Sequence, residues 1–400
     1  MFNRRQTLGL LAGSAILGMP GVSFAALSGD RRLVFVILRG AMDGLGAAPP
    51  WRDPHYAERR GALALEAPGS ADGVLDLDGF FGLHPALAPL HARYRQNEMI
   101  LFHAVATPYR DRSHFDAQDL LENGTTRPRG ATDGWLNRAL GLMGGGDGRI
   151  GLAVGSQVPL LLRGTVPVGS WAPTALPETP PDFMQKVAAL WQRDPLLHPA
   201  LAEGMRAQAM SDDVLGDDKK TMKGGGGRNA PLASYTEAVG RLLAAAEGPR
   251  VAVIESGGWD THSAQGKLTG RLAGNLGGLA QGLEALAKGL GPAWEKTVVL
   301  CMTEFGRTVT VNGTGGTDHG TGSAAFMLGG AVRGGRVMAD WPGLAAQNLY
   351  QGRDLQPTLD ARRILKAVLR DHLGLDGRAI DRAVLPGSDG AAPLDGLFRA

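Results

Sequence analysis

The chain has 400 residues, above the usual ceiling for one compact core, so it can bury a sizeable interior with room for insertions or a subdomain. Apolar residues make up 44% and charged residues 20%, a balance too polar for a membrane-embedded protein and too apolar for a disordered one. With 41 basic against 39 acidic side chains there is no broad electrostatic footprint for nucleic acid, and the single cysteine, Cys301, excludes an internal disulfide.

The chain opens with Arg4-Arg5, an apolar stretch from Leu8 to about Val22, and the small residues of Ser23-Phe24-Ala25-Ala26. A charged start, a greasy middle and a small-residue cleavage site form an export signal, with cutting expected after Ala25. Glycines and Pro20 interrupt the apolar part, so it does not supply the run of about 20 apolar residues that a stable membrane span needs. The segment resembles a twin-arginine signal, which implies the twin-arginine export machinery as a partner and a periplasmic or secreted protein. An ordinary secretory signal with two chance arginines is the alternative, and either route ends outside the cytoplasm.

From residue 26 to 400 the sequence reads as one α/β domain. Leu33 to Leu38 is a continuous apolar run, the mark of a strand buried on both faces of a parallel sheet. Met99 to Val105, Val251 to Ile254, Thr297 to Met302 and the weaker Ala325 to Leu328 read alike. Helical patterns lie between them at Ser113 to Asn123, Asp133 to Leu142, Asp182 to Arg193 and Ser234 to Ala246. From Leu272 to Leu290, leucines recur at alternating spacings of four and three and paint one helix face. Strands alternating with helices predict a doubly wound, mostly parallel sheet flanked by helices. The polar stretch at 211–229, with four consecutive glycines near its end, predicts an exposed mobile loop.

In an open parallel sheet, ligands collect at the carboxyl ends of the strands. Asp43 follows the first strand and Arg112-Ser113-His114 the second. Asp260-Thr261-His262 follows the third, and Glu304, then Asp318-His319, the fourth. Acids and histidines from four strand ends thus converge on one edge, as a divalent cation requires: Zn, Mn, Mg or Ca. Asp43, His114, Asp260, His262, Glu304, Asp318 and His319 are the candidate ligands. Each doublet alone also reads as a capped loop turn. His84, followed by Pro85 at a helix start, reads as structural, and His55, His91, His103, His198 and His372 stay outside the site.

Leu83-His84-Pro85-Ala86-Leu87, Arg112-Ser113-His114-Phe115, Gly258-Trp259-Asp260-Thr261-His262, Thr303-Glu304-Phe305-Gly306-Arg307 and Asp318-His319-Gly320 together resemble the domain-of-unknown-function 1501 family. That family is placed in the alkaline phosphatase and sulfatase superfamily. The resemblance implies an alkaline phosphatase-like fold and a metal-dependent hydrolase of phosphate or sulfate esters, with a small-molecule or glycan ester as substrate. It also implies Ser113 as nucleophile and Asp43, Asp260, His262, Glu304 and His319 at the metal. Two departures stand out: the Asp and His pair is only two apart, and Phe305 cannot bind metal unless His114 or Asp318 replaces it. Ser113 reads equally as a helix cap, through a capping box with Asp116. Arg112, as a catalytic residue, with Arg110 and Arg307, would hold a tetrahedral anion. The competing reading is a non-catalytic binding or assembly protein that keeps the fold.

Overall fold

The computed structural model describes residues 30–144, 150–155, 157–173, 181–194, 197–216 and 231–399. Residues 1–25, where an export signal is expected, lie outside the described residues.

Nine strands form one sheet: β1 (Arg32–Leu38), β2 (Met99–Ala106), β3 (Gly151–Val154), β4 (Gly169–Trp171), β5 (Val251–Ser256), β6 (Thr297–Thr303), β7 (Ser323–Leu328), β8 (Arg336–Met338) and β9 (Leu359–Asp360). Their order is β8-β2-β7-β6-β1-β5-β3-β4, with β9 also paired to β2. Every pairing in this sheet is parallel except those of β7, which runs antiparallel to both β2 and β6. The fold is therefore α/β with a mostly parallel, mixed sheet, as the alternation of apolar runs and helical patterns predicts.

β1 shows why the sheet is covered on both sides. All seven of its residues are buried, and alternate side chains enter different cores. Val34, Val36 and Leu38 join one cluster; Leu33, Phe35 and Ile37 join the other. Helices α1 (His114–Asn123), α2 (Trp135–Leu142), α3 (Leu197–Leu215), α4 (Thr236–Ala244), α5 (Arg271–Leu290) and α6 (Ala361–Ala367) are distributed over both faces. The leucine stripe of α5 packs on the first core, beside α4. Trp135, Leu136 and Leu140 of α2 and Ile364 and Leu365 of α6 fill the second. Each fully buried leucine stabilises by roughly 2 kcal/mol, so these layers hold the sheet rigid beneath its loops.

The short strands β3, β4, β8 and β9 have no counterpart in the sequence reading, because two to four residues are too few to carry a readable period. The polar stretch from 211 needs a correction. Ser211 to Leu215 are the last turn of α3, and the Ser211 hydroxyl, buried, accepts the Trp171 Nε1 proton at 3.1 Å. Residues 217–229 lie outside the described residues.

Candidate metal centre

The reversal of β7 decides what gathers at the sheet's rim. Loops after β1, β2, β5 and β6 leave from the carboxyl ends of parallel strands. Because β7 runs the other way, the segment before its amino end, with Asp318 and His319, reaches the same rim. The backbones approach closely there. Gly40 sits at φ +119°, and a Cβ on it would lie 2.6 Å from the Asp260 nitrogen; one on Gly316 would lie 2.4 Å from the His262 carbonyl.

His114, Asp260 and His319 each present one ligand atom, all within 4.8 Å of one another. His114 Nε2 lies 3.0 Å from His319 Nε2 and 3.5 Å from Asp260 Oδ2, and His319 Nε2 lies 3.3 Å from Asp260 Oδ1. His262 stands at the margin, with Nε2 at 2.9 Å from His319 Nε2 and 3.0 Å from Asp260 Oδ1. The other ring nitrogens are each held from behind. His114 Nδ1 meets Glu304 Oε1 at 2.8 Å, His262 Nδ1 meets Asp318 Oδ1 at 3.0 Å, and His319 Nδ1 meets the Arg112 carbonyl at 3.0 Å.

These acceptors place the proton of each neutral ring on Nδ1 and leave a lone pair on each Nε2. The three Nε2 atoms and a carboxylate thus face one another at hydrogen-bond distance. Among the described residues the hydrogen-bonding cation that reaches this group is Arg307, whose Nη1 donates to Asp260 at 2.5 Å. When the rings are neutral, their Nε2 lone pairs and the Asp260 carboxylate repel one another, and a shared cation relieves this. Ligands about 2.0–2.1 Å from a tetrahedral metal are separated by about 3.3 Å, close to the spacings found. The donor set therefore fits a divalent metal, held by His114, Asp260 and His319 with His262 beside them.

The electrostatics follow from the partners. Burial works to raise the Asp260 carboxyl, but the hydrogen bond and charge of Arg307, with His262 and His114, hold it below the ordinary carboxylate value. Glu304 is fully buried, which would raise it; hydrogen bonds from His114, Gln118 and the Gly40 amide outweigh this and keep it low. For His114, burial is outweighed by Glu304 and the ring is pushed up, whereas burial and the charge of His114 push His319 down. The Asn312 hydrogen bond, with His262, holds Asp318 low. Asp260 and His262 are 43% and 44% exposed, so the centre opens to solvent on their side. On the other side Phe305 stacks on His114, with ring centroids 4.9 Å apart, and closes the floor.

The expected ligands divide. Glu304 and Asp318 lie behind the imidazoles and orient them, and Phe305 is packing. Asp43 is a correction: it is buried elsewhere, accepting from Arg60 Nη2 and, at 2.6 Å, from Gln265 Nε2. A buried guanidinium neutralises it, so it joins no metal group. The arginines are also corrected. Arg112 donates from Nε to Asp354 at 2.7 Å and from Nη2 to Gln351 at 2.7 Å; Arg110 bonds the carbonyls of Thr107 and Tyr109; Arg307 bonds Asp260 and Thr317. Protein acceptors occupy all three guanidinium groups where an anion was expected. Ser113 is the N-cap residue of α1, but its hydroxyl makes no capping bond, and Asp116 instead lies 3.7 Å from Arg129. The capping box is not formed.

Sequence reasoning missed Gln118, Asn312 and Arg60. Gln118 had a signal: it stands four residues after His114 on α1, hence on the same face, and donates to Glu304 at 3.0 Å. Its carbonyl accepts from Arg39 at 3.1 Å at the edge of a neighbouring cleft of about 220 Å³, which Phe115, Glu122 and Leu160 also line.

Several solved structures are similar to this chain at low identity. A phosphonate monoester hydrolase of Agrobacterium radiobacter is 12% identical, with 86% of this chain and 74% of that chain covered and a TM-score of 0.38. A structure titled for glycosaminoglycan metabolism by Bacteroides thetaiotaomicron is 10% identical, with 92% and 78% covered and a TM-score of 0.39. The C-terminal periplasmic domain of EcEptC from Escherichia coli, in complex with Zn, is 11% identical, with 76% and 74% covered and a TM-score of 0.32. None of these likenesses is close enough to carry an argument about this chain. No curated protein matches it. Residues 94–384, which include every residue of the metal centre, match the family described as Protein of unknown function (DUF1501), and the chain belongs to that family.

Proposed function

We propose that this chain is an exported metalloprotein that hydrolyses phosphate or sulfate esters at the centre formed by His114, Asp260 and His319, with His262 as a further ligand. The observation that carries the reading is the convergence of three Nε2 atoms and a carboxylate at 2.9–3.3 Å, with each ring's Nδ1 turned to an acceptor behind it. Imidazole-rich donors suit a borderline cation such as Zn, whereas Mg and Ca take oxygen ligands. The resemblance to the alkaline phosphatase and sulfatase superfamily supports ester hydrolysis, and the Arg4-Arg5 segment supports export through the twin-arginine machinery. Among the described residues no helix is long and apolar enough to cross a membrane.

When bound, the cation supplies Lewis acidity to a substrate oxygen. Glu304 keeps the His114 proton on Nδ1, Asp318 does so for His262, and Arg307 keeps Asp260 ionised. Phe305 excludes water from beneath. Ser113, at the amino end of α1 and next to His114 in the chain, is the proposed nucleophile.

A second reading, a binding or assembly protein that uses the metal without turnover, is favoured by one observation: Arg110, Arg112 and Arg307 are all committed to protein acceptors. Turnover of aryl phosphate and aryl sulfate by metal-loaded protein separates the two. The hydrolase reading expects activity that Asp260→Ala and Ser113→Ala each abolish. Metal uptake without turnover of either ester class supports the second reading, and activity that survives Ser113→Ala removes the nucleophile assignment.

A further inference from the structure

We propose that Arg112 and Asp354 are positioning residues for His319, forming a latch that fixes the metal centre from outside; the inference rests on the metal-centre reading above. The acceptor that orients His319 is the backbone carbonyl of Arg112, 3.0 Å from Nδ1. That carbonyl belongs to a residue at φ +62°, a left-handed conformation that L side chains rarely adopt. Something must hold it there, and its own side chain does. Arg112 Nε donates to Asp354 Oδ2 at 2.7 Å, Nη2 donates to Gln351 Oε1 at 2.7 Å, and the guanidinium lies over the Tyr350 ring, 5.8 Å from its centroid. Gln351 is itself left-handed, at φ +53°. Two non-glycine residues in a rare conformation thus face each other across one hydrogen bond, a pattern that persists only where the surroundings over-determine it.

The Asp354 side chain is 0% exposed. The turn that carries it is closed by the paired backbone bonds of Tyr350 and Asp354, and Asp354 forms a β-bridge with Thr308. Thr308 follows Arg307, whose side chain holds Asp260 at 2.5 Å. Asp354 therefore ties together, through its carboxylate, the residue that orients His319 and, through its backbone, the segment whose arginine orients Asp260. Neither Asp354 nor Gln351 is a metal ligand; Arg353 donates to the other Asp354 oxygen, Oδ1, at 3.2 Å and leaves Oδ2 to Arg112. Partners that orient a ligating histidine typically alter metal affinity by about 10–100-fold when they are removed.

The test is titration of full-length protein with Co(II), following the visible absorption that reports coordination geometry, with thermal unfolding measured on the same samples. Arg112→Gly is the decisive variant, because glycine adopts the left-handed backbone freely and removes only the anchor; Asp354→Asn removes the charge and keeps the shape. The latch predicts Co(II) affinity about 10–100-fold weaker and an altered absorption band in both folded variants, with Arg112→Lys between them and wild type. Wild-type affinity and spectrum in Arg112→Gly and Asp354→Asn, whether or not the unfolding temperature falls, overturn it. Wild-type protein that takes up no Co(II) overturns the metal centre and the latch together, whereas normal uptake by wild type and variants alike overturns the latch alone.

Discussion

Two groups of histidines in this protein differ in one respect, and that difference separates core from site. His84 donates from Nε2 to the Lys267 carbonyl at 2.7 Å and accepts the Ala86 amide at Nδ1 at 3.0 Å. His103 bonds the Ala48 carbonyl at 3.0 Å and accepts the Ala104 amide at 2.8 Å. Each ring is complete as a neutral imidazole, one nitrogen giving a proton and the other receiving one. At His114, His262 and His319 only the giving half is met, and the receiving nitrogens point at one another and at Asp260. The carboxylates repeat the contrast. Asp43 is answered by Arg60 and Gln265 alone, whereas Asp260 accepts from Arg307 and also faces the Nε2 atoms of His262 and His319. A core polar group is closed by the chain itself, and a site is where the closing charge has to come from outside.

The sharpest break of this contrast is substitution of a carboxylate from each group. Asp260→Ala is expected to abolish tight metal binding, read by metal analysis of the purified protein, and also to destabilise the metal-free protein in denaturant unfolding, because it strands the buried Arg307 guanidinium. Asp43→Ala is expected to differ from it on the metal side alone. It strands the buried Arg60 charge and costs about 3–5 kcal/mol in denaturant unfolding, with metal content unchanged.

Acid sharpens the histidine side. Burial pushes His103 and His372 down to about 4. The unfolded chain, with values near 6.5, binds more protons between those limits, so stability is fully present above about pH 6.5 and falls as pH drops towards 4. Each group removes roughly 3 kcal/mol over that window. His103→Gln should shallow the slope of stability against pH, and an unchanged slope would remove this assignment. The smallest effect is expected for Glu304→Gln, which keeps a hydrogen-bond acceptor on His114 but removes the buried charge. It should weaken metal binding by about 10–100-fold, measured by competition with a chelator.

Much of this contrast was legible in the chain because strand ends are. Apolar runs such as Leu33 to Leu38 name the sheet, and the residues after them name the rim, so His114, Asp260, His262 and His319 could be gathered before any coordinates. What was not legible was how each polar group is answered. Asp43 follows β1 as Asp260 follows β5, and only tertiary packing brings Arg60 to the first and imidazoles to the second. The reversal of β7 was hidden too, since a buried run reads the same in either direction. Arg112 shows the limit most plainly: its place in the motif suggested an anion clamp, but its guanidinium turns to Asp354 and its carbonyl serves His319.

Whether three particular Nε2 atoms share a cation is read by histidine-selective ¹⁵N NMR during addition of zinc to the metal-free protein. The account predicts that Nε2 of His114, His262 and His319 move to metal-bound shifts at stoichiometric zinc while His84 and His103 stay where they were. Unmoved resonances from the first group, or equal movement in both, would contradict it.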